Sequence, residues 1–396
     1  MMVEEKEKIN LKNLDKSGWK TWRFDEVATK VSETVDPSET DLDIYIGLEH
    51  LDAEDIHIRR RGVPSDVTGG KLKCYPGDVI FGKRRAYQRK AAVVDFKGIC
   101  SAHAFVLRAI PEVIDPKLFP FFLHSDAFMH RAIDISVGGL SPTINWGQLK
   151  EQEFLLPPKD QQAQLAELLW AMDEVIERER EVLDKTQINL EVRSSDLIWN
   201  SNHNLEPLVS FAKGDLNKLV DGDWIESKDQ SEQGIRLLQL ADIGVREFIN
   251  KSARFISEET FNRLRCFEVL PDDVIIARMP DPIGRACIVP EIGEKMITAV
   301  DCCIARVDQS HSLNKYLMYL LNTREFLHKA NLLASGTTRQ RIARKTMEQM
   351  KVPKPNLTFQ EEIVEKLDAF SRSKQSADLK ISSSKALQKS LINQIF

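Results

Sequence analysis

The feature that most constrains this chain is a long amphipathic segment that occurs twice. One copy begins near Pro157 and the other near Pro353, and aligning Leu165 with Ile363 places them 198 residues apart in a chain of 396 residues. Steps of four and three residues from these positions meet ten sites in each copy, of which seven are apolar. Such heptad-like spacing gives a helix a narrow hydrophobic stripe, which suits packing against a partner helix. The sequence therefore predicts two long helices that pack against each other.

The predicted seam between these helices is apolar in both copies. It comprises Leu165, Leu169, Met172, Ile176 and Leu183 in the first helix, and Ile363, Leu367, Phe370 and Ile381 in the second. A helix of roughly 38 residues would extend on the order of 55 Å, whereas one turn of B-DNA is about 34 Å. Two domains held on such helices could therefore face separate sites on one duplex.

The rest of the chain forms two globular parts with the same order of motifs. Residues 76–80 correspond to residues 271–275, and short apolar runs bounded by turn residues predict strands in both parts. Helical patterns predict one helix at 116–135 and one at 313–333. We predict a domain at 1–157 with an N-terminal arm at 1–18, a helix at 158–199, a second domain at 200–355 and a C-terminal helix at 356–396. The predicted fold class is α/β (α+β), a pseudo-two-fold repeat of two globular domains separated by antiparallel helices.

Composition limits the classes of partner. The net charge of −5 does not indicate nucleic-acid binding by itself, so such a function must rest on local patches. No run approaches the roughly 20 apolar residues of a membrane span, and the six cysteines form no CxxC pair. We therefore expect a soluble, cytoplasmic protein without a membrane partner.

The strongest local patch lies in the first globular part. The stretch from Arg59 to Arg108 contains 12 Lys or Arg residues and three acidic residues, a net charge of +9. Phosphates attract such charge, and arginine can also read guanine edges. The alternative is a solvated basic face with no partner. A thinner basic cluster follows Gly336 in the second part, where ordinary surface polarity is the alternative.

Motifs for catalysis and cofactors are incomplete. Residues 77–83 fit the first seven positions of a phosphate-binding P-loop, but Arg84 replaces the required Ser or Thr and the interior is typical of a strand. Cys100 and His103 lack a second pair at zinc spacing. No methyl-transfer motif or glycine-rich cofactor motif is present. The sequence thus predicts a non-catalytic chain that holds no cofactor and no metal.

With these motifs in order, the chain resembles the specificity (S, HsdS) subunit of type I restriction-modification systems. The resemblance extends over nearly the whole chain and rests on the doubled plan and on short motifs at residues 45–50, 76–83, 98–101, 105–108, 273–278 and 283–284. It implies two target-recognition domains, each of which reads one half of a bipartite, asymmetric site in double-stranded DNA. It also implies that the helices form an antiparallel coiled coil that sets the spacer and docks two methyltransferase subunits. The nine seam residues given above are the candidates both for the coiled coil and for subunit docking. Restriction subunits would join this complex, and S-adenosylmethionine, ATP and Mg would be bound by the partner subunits.

The resemblance and the basic clusters together select candidate DNA-binding residues. They are Lys83, Arg84, Arg85, Tyr87, Arg89, Lys90, Ser141 and Thr143 in the first domain, and Arg278, Thr337, Thr338, Arg339 and Arg341 in the second. Most would hold phosphates, and one or two arginines per domain would read bases. Two other functions remain open: a coiled-coil scaffold without DNA readout, and an enzyme such as a fused nuclease or methyltransferase.

Overall fold

The computed structural model describes residues 14–200, 203–214, 216 and 218–396, and its contacts divide the chain into two compact units. Unit 1 extends to Arg180 and includes Leu379–Phe396, and unit 2 is Glu181–Asp378. Residues 1–13 of the predicted arm and residues 201–202 of the predicted second domain lie outside the described residues. Each unit therefore contains one globular part together with portions of both long helices.

Unit 1 contains short strands and short helices in mixed order. Its strands are β1 (Lys20–Arg23), β2 (Ala28–Val31), β3 (Thr34–Val35), β4 (Tyr45–Ile46), β5 (Lys71–Cys74), β6 (Val79–Gly82), β7 (Ala91–Val93), β8 (Gly98–Cys100), β9 (Ala104–Ala109) and β10 (Glu153–Leu156). Its short helices are α1 (Phe24–Val27), α2 (Phe119–His124), α3 (Asp126–Asp134) and α4 (Trp146–Leu149). The long helix α5 (Lys159–Trp199) begins in unit 1 and ends in unit 2.

Unit 2 repeats this plan. Its strands are β11 (Leu205–Pro207), β12 (Val220–Asp221), β13 (Gln230–Ser231), β14 (Ile235–Leu238), β15 (Phe255–Ile256), β16 (Val274–Ala277), β17 (Ala286–Ile288), β18 (Met296–Thr298), β19 (Cys302–Ala305) and β20 (Lys351–Pro353). Its short helices are α6 (Glu258–Leu264), α7 (Asn314–Leu321), α8 (Arg324–Leu332) and α9 (Arg344–Glu348). The long helix α10 (Leu357–Ile395) begins in unit 2 and ends in unit 1.

The principal sheet has the same strand order in both units. It is β2-β9-β6-β7 in unit 1 and β12-β19-β16-β17 in unit 2, with all neighbours antiparallel. A second sheet contains one parallel pair, β4 with β8 or β14 with β18. In unit 1, β5 pairs with β8, the second strand of the parallel pair. In unit 2, β15 pairs with β14, the first strand of that pair, so the two repeats differ in this sheet.

The central strands of the principal sheets are apolar at nearly every position because both faces of each sheet are buried. In β6, Val79 and Phe81 belong to the apolar cluster formed with the short helices, whereas Ile80 belongs to the cluster shared with the second sheet. In β16, Val274 likewise belongs to the apolar cluster that includes the short helices, and Ile275 belongs to a separate cluster on the other face. Side chains alternate between the faces of a strand, so burial on both faces requires a continuous apolar run.

The single helices predicted at 116–135 and 313–333 are wrong in one respect, because each is two helices in the structure. The hydroxyl of Ser125 accepts a hydrogen bond from the backbone N–H of Phe128 at 3.2 Å and caps α3. The hydroxyl of Thr323 accepts one from the N–H of Phe326 at 3.4 Å and caps α8. Both residues have extended backbone angles, so the chain stops one helix and starts the next at that point.

A buried glutamine fixes the start of each long helix. The side-chain amide of Gln162 donates to the carbonyls of Val113 and Pro157, and its oxygen accepts from the N–H of Asp115 at 2.6 Å. Gln360 makes the corresponding three bonds in the first turn of α10. Both side chains are at most 1% exposed, so these bonds replace those that water would otherwise provide.

Within each unit the long helices run antiparallel. In unit 1 the apolar cluster contains Leu165, Ala166 and Leu169 of α5 with Leu391, Ile392 and Ile395 of α10. In unit 2 the cluster contains Leu190 and Ile198 of α5 with Ile363, Val364 and Leu367 of α10. Of the predicted seam residues, Leu165, Leu169, Ile176, Ile363 and Leu367 are buried, and Met172, Leu183, Phe370 and Ile381 are half-buried. A coiled coil over the full length of the helices stays a prediction. Within the described ranges, no helix has the length and apolar character that a membrane crossing requires.

Asp223, two residues after β12, is a partly buried carboxylate in unit 2. It accepts a hydrogen bond from the N–H of Phe267 at 3.1 Å. Burial raises the pKa of Asp223 to about 6, from 3.8 for an ordinary aspartate. Because the folded state then binds this proton more tightly than the unfolded state, the stability of unit 2 falls as the pH rises from about 4 to about 6.

Replacing Asp223 with Asn removes this titration and retains an oxygen that can accept the bond from Phe267. We expect Asp223→Asn to melt at a higher temperature than the parent chain at pH 7.5, with an advantage that disappears as the pH falls towards 4. Thermal melts at four or five pH values would test this. An advantage of the same size at every pH would show that the proton on Asp223 is not its cause.

Candidate nucleic-acid interface

The basic residues of unit 1 are concentrated where β6 ends. Gly82 closes the strand, and Lys83, Arg84 and Arg85 follow before a single 3₁₀ turn at residues 86–88. Arg85 and Arg89, which flank this turn, both have left-handed backbone angles, with φ of 58° and 52°. Left-handed geometry is uncommon for side chains other than glycine, so the turn is held by its surroundings.

A loop at residues 138–142 lies against this turn. Its base is a pair of backbone hydrogen bonds between Val137 and Thr143, of 3.1 and 2.9 Å. The N–H of Arg85 donates to the carbonyl of Pro142 at 2.7 Å, and an isolated antiparallel β-bridge joins the backbones of Arg84 and Thr143. The loop and the basic turn thus form one surface.

Two arginines converge on one hydroxyl in this surface. Arg84 donates to the oxygen of Ser141 at 3.3 Å, and Arg85 donates to the same oxygen at 3.2 Å. A guanidinium group has five N–H donors, so each arginine has donors left for a ligand. Arg85 is exposed and Arg84 is half-buried. This pair is well placed to hold a phosphate oxygen beside Ser141.

The other basic candidates of unit 1 have partners within the unit. Arg89 forms ion pairs with Glu54 at 2.9 Å and Asp126 at 2.8 Å. Lys90 donates to the carbonyl of Leu48 at 2.6 Å. These contacts indicate that Arg89 and Lys90 shape the turn. The aromatic ring of Tyr87, at the outer point of the turn, is exposed.

Lys83 has a different environment. Its ammonium group lies 5.1 Å from the ring centre of Phe105, and partial burial together with nearby Lys30 lowers its pKa. A cation over an aromatic ring is stabilised by the electrons of the ring face. The ammonium group of Lys83 is therefore placed against the ring of Phe105, next to the basic turn.

A groove of about 310 Å³ borders the two converging arginines. Its lining comprises Leu48, Glu49, Arg84, Arg85, Gln88, Lys90, Ser101 and His103. Gln88 and Ser101 were not among the residues selected from the sequence. Their amide and hydroxyl groups can exchange hydrogen bonds with base edges or phosphates. Ser101 belongs to the motif at residues 98–101, but the sequence does not show that this motif and Gln88 line one groove, because the two segments come together only in the fold.

Unit 2 has a loop of the same construction at residues 336–340. Its base is a pair of backbone bonds between Ser335 and Arg341, of 3.0 and 2.9 Å. The first loop residue is glycine in both units, with φ of 113° at Gly138 and 105° at Gly336. That backbone conformation favours glycine over residues with a side chain. Thr337, Thr338 and Arg339 are exposed in this loop.

The two other candidate arginines of unit 2, Arg278 and Arg341, bond to groups within the fold. Arg278 is 7% exposed and donates to the carbonyl of Ile342 at 3.1 Å and to the carboxylate of Asp221 at 2.5 Å. Arg341 donates to the carbonyl of Val300. Arg339 is the one cation in the loop at residues 336–340, and its exposed side chain has no hydrogen-bond or ion-pair partner among the described residues.

A family model described as the type I restriction modification DNA specificity domain matches residues 16–186 and, separately, residues 210–381. The chain belongs to this family. Each match contains one principal sheet, one loop of the kind just described and most of one long helix. The internal repeat predicted from the sequence is therefore confirmed as two copies of one domain.

Two curated relatives are specificity subunits of type I restriction enzymes. The specificity subunit of the type I restriction enzyme EcoDI from Escherichia coli is 26% identical over 170 residues, which are 41% of this chain and 37% of that protein. The specificity subunit of the type I restriction enzyme MjaVIII from Methanocaldococcus jannaschii is 22% identical over 232 residues, 54% of each chain. The match thus spans about half the length of these relatives or less.

A solved structure supports the fold over nearly the whole chain. One chain from a study of complex assembly and conformational transition in the type I R-M system superposes with a TM-score of 0.61 at 20% identity. The superposition covers 96% of this chain and 97% of that chain. At this level of identity the likeness establishes the fold.

Proposed function

We propose that this chain is the DNA sequence-specificity subunit of a type I restriction-modification complex. Each unit would read one half of a bipartite, asymmetric site in double-stranded DNA. The observation that carries the proposal is the loop that recurs in both units, with an exposed arginine in or beside it. Arg85 lies next to the loop of unit 1, and Arg339 lies within the loop of unit 2. Because the loops and their neighbours differ in sequence, the two half-sites would differ too.

The chain is proposed to be non-catalytic, with S-adenosylmethionine, ATP and Mg bound by partner subunits. The P-loop-like segment supports this, because Val79–Gly82 is a strand whose backbone pairs with β7 and β9. A P-loop holds phosphates with free backbone N–H groups, and a central strand of a sheet lacks them.

The long helices are proposed to form the coiled coil that sets the spacer between half-sites and docks two methyltransferase subunits, which restriction subunits would join. Seam residues such as Leu169 and Leu367 are buried, so docking would use apolar side chains that remain exposed on the helices. These are Val175, Val182, Ile188 and Val192 of α5, and Leu379 and Leu387 of α10. We also propose a cytoplasmic location, which the six free, buried cysteines favour.

The test is selection of DNA by the assembled complex. The full chain would be purified with its methyltransferase subunits and used to select from randomised duplexes at two salt concentrations. We expect one split, asymmetric site to be enriched. Arg85→Ala should weaken binding to all sequences about equally, because it removes a phosphate contact, whereas Arg339→Ala should relax the preference in one half-site.

The scaffold function predicts a different outcome. Under that hypothesis the chain would bind the methyltransferase subunits, and no sequence would be enriched at either salt concentration. The exposed apolar residues of α5 and α10 are compatible with both hypotheses, so the selection experiment decides between them.

A further inference from the structure

Leu140 occupies an unusual position for an apolar residue. Its side chain is 97% exposed at the outer end of the loop of unit 1, and Val137 at the base of the loop is 59% exposed. Gly138 and Gly139 precede it, and Ser141 and Pro142 follow it. A leucine that contacts nothing in the folded chain gains no stability from burial. A role in folding therefore does not explain it.

The loop presents Leu140 in a fixed position. Backbone bonds between Val137 and Thr143 close its base, and Pro142 accepts a bond from the N–H of Arg85 at 2.7 Å. The hydroxyl of Ser141, next to Leu140, accepts bonds from both Arg84 and Arg85. Because these bonds hold the backbone on both sides of Leu140, the loop loses little backbone freedom when it binds.

An exposed apolar side chain beside two guanidinium groups complements a DNA duplex, which presents both phosphates and stacked bases. Arginines hold the phosphates at the edge of a groove, while the stacked bases inside it are apolar on their faces. Proteins that bend DNA insert leucine, phenylalanine or similar side chains between base pairs and partly unstack them. A protein partner would offer apolar surface as well, but it would not explain the two arginines that share Ser141.

We infer that Leu140 is a wedge that inserts at one base step within the half-site read by unit 1. This inference rests on the proposed function and adds to it a residue that unstacks DNA. The corresponding position in unit 2, 198 residues later, is Thr338, which is polar and exposed. The wedge therefore belongs to one half-site only, and the two halves of the site are deformed differently.

The test uses 2-aminopurine, a base analogue whose fluorescence rises when it is unstacked. The complex of the full chain with its methyltransferase subunits would bind duplexes that carry the selected site, with the probe placed in turn at each position except the methylated adenines. We expect a several-fold rise at one step in one half-site. Leu140→Ser should reduce that rise to the level of the free duplex and weaken binding by about 10-fold. Leu332→Ser, which makes the same change at an exposed leucine of α8, is the matched control and should leave the signal unchanged.

The possible outcomes separate the inference from the proposed function. If the parent complex enriches no site, the proposed function fails and the wedge fails with it. If a site is enriched but Leu140→Ser alters neither the fluorescence nor the affinity, only the wedge is overturned. If Leu140→Ser releases the methyltransferase subunits and leaves the fluorescence of bound DNA unchanged, Leu140 is a protein contact, and the inference is overturned as well. Because Leu140 is exposed, a melt should confirm that the variant is folded.

Discussion

Changing Arg84 and Arg85 together to glutamate is expected to lower the DNA affinity of the assembled complex by about 100-fold or more at low salt. Both guanidinium groups lie at the surface formed by the basic turn and the loop, within 3.3 Å of the hydroxyl of Ser141. The variant loses two phosphate contacts and adds two charges that repel phosphate. The slope of log affinity against log salt should therefore become shallower by about 2. Titrations by fluorescence anisotropy between 50 and 200 mM salt would measure both quantities.

The matched control is Arg60→Glu with Arg61→Glu, which changes the net charge of the same basic stretch by the same amount. Arg60 and Arg61 already form ion pairs with Asp52 at 2.5 Å and Asp95 at 2.9 Å. We expect a loss of affinity several-fold smaller than for Arg84 and Arg85. Equal losses in the two double variants would mean that the basic stretch acts only through its total charge, and would contradict a localised interface.

The organisation of this chain could be predicted because it depends on repeated patterns. Helices α5 and α10 have a periodic apolar stripe, and the central strands have continuous apolar runs. Both patterns follow directly from burial. The repeated motif at residues 76–80 also has a structural explanation. Asp78 is 1% exposed, accepts a bond from the N–H of Tyr75 at 2.9 Å and pairs with Arg108 at 2.7 Å. Asp273 pairs with Arg306 at 2.7 Å in unit 2.

The helix predictions failed where a side-chain hydrogen bond ends one helix and starts the next, because the apolar pattern of the sequence does not show such bonds. Ser125 and Thr323 lie within runs that are typical of helices, and each caps a new helix because its hydroxyl can bond the backbone. The candidate interface was harder to predict, because the sequence of a basic stretch does not show which of its side chains face solvent. Arg85 and Arg89 are four residues apart in the same basic stretch, yet one faces solvent and the other is paired with Glu54 and Asp126.

Arg278 and Arg339 separate two roles at the candidate interface: Arg278 stabilises the fold beside the loop, whereas Arg339 is exposed and available to bind DNA. We expect Arg278→Ala to lower the free energy of unfolding of unit 2 by about 2–4 kcal/mol, because it leaves the carbonyl of Ile342 without its side-chain donor and removes a partner of Asp221. The N–H of Ile342 donates to the carbonyl of Arg278 at 3.0 Å, so these contacts hold the strand end next to the loop at residues 336–340. Denaturant unfolding together with hydrogen exchange would measure the change, and protection should fall at residues 335–342.

Arg339→Ala is the matched variant, because it removes the same kind of side chain from the exposed loop. Its stability should stay within about 0.5 kcal/mol of the parent, while DNA affinity should fall by about 10-fold. The reverse pattern, in which Arg278→Ala keeps full stability and loses DNA affinity, would show that Arg278 binds DNA directly, as the sequence predicts. That result would require the guanidinium group to leave Asp221 and Ile342 when DNA binds. The expected pattern would assign Arg278 to positioning the loop and Arg339 to contact with the ligand.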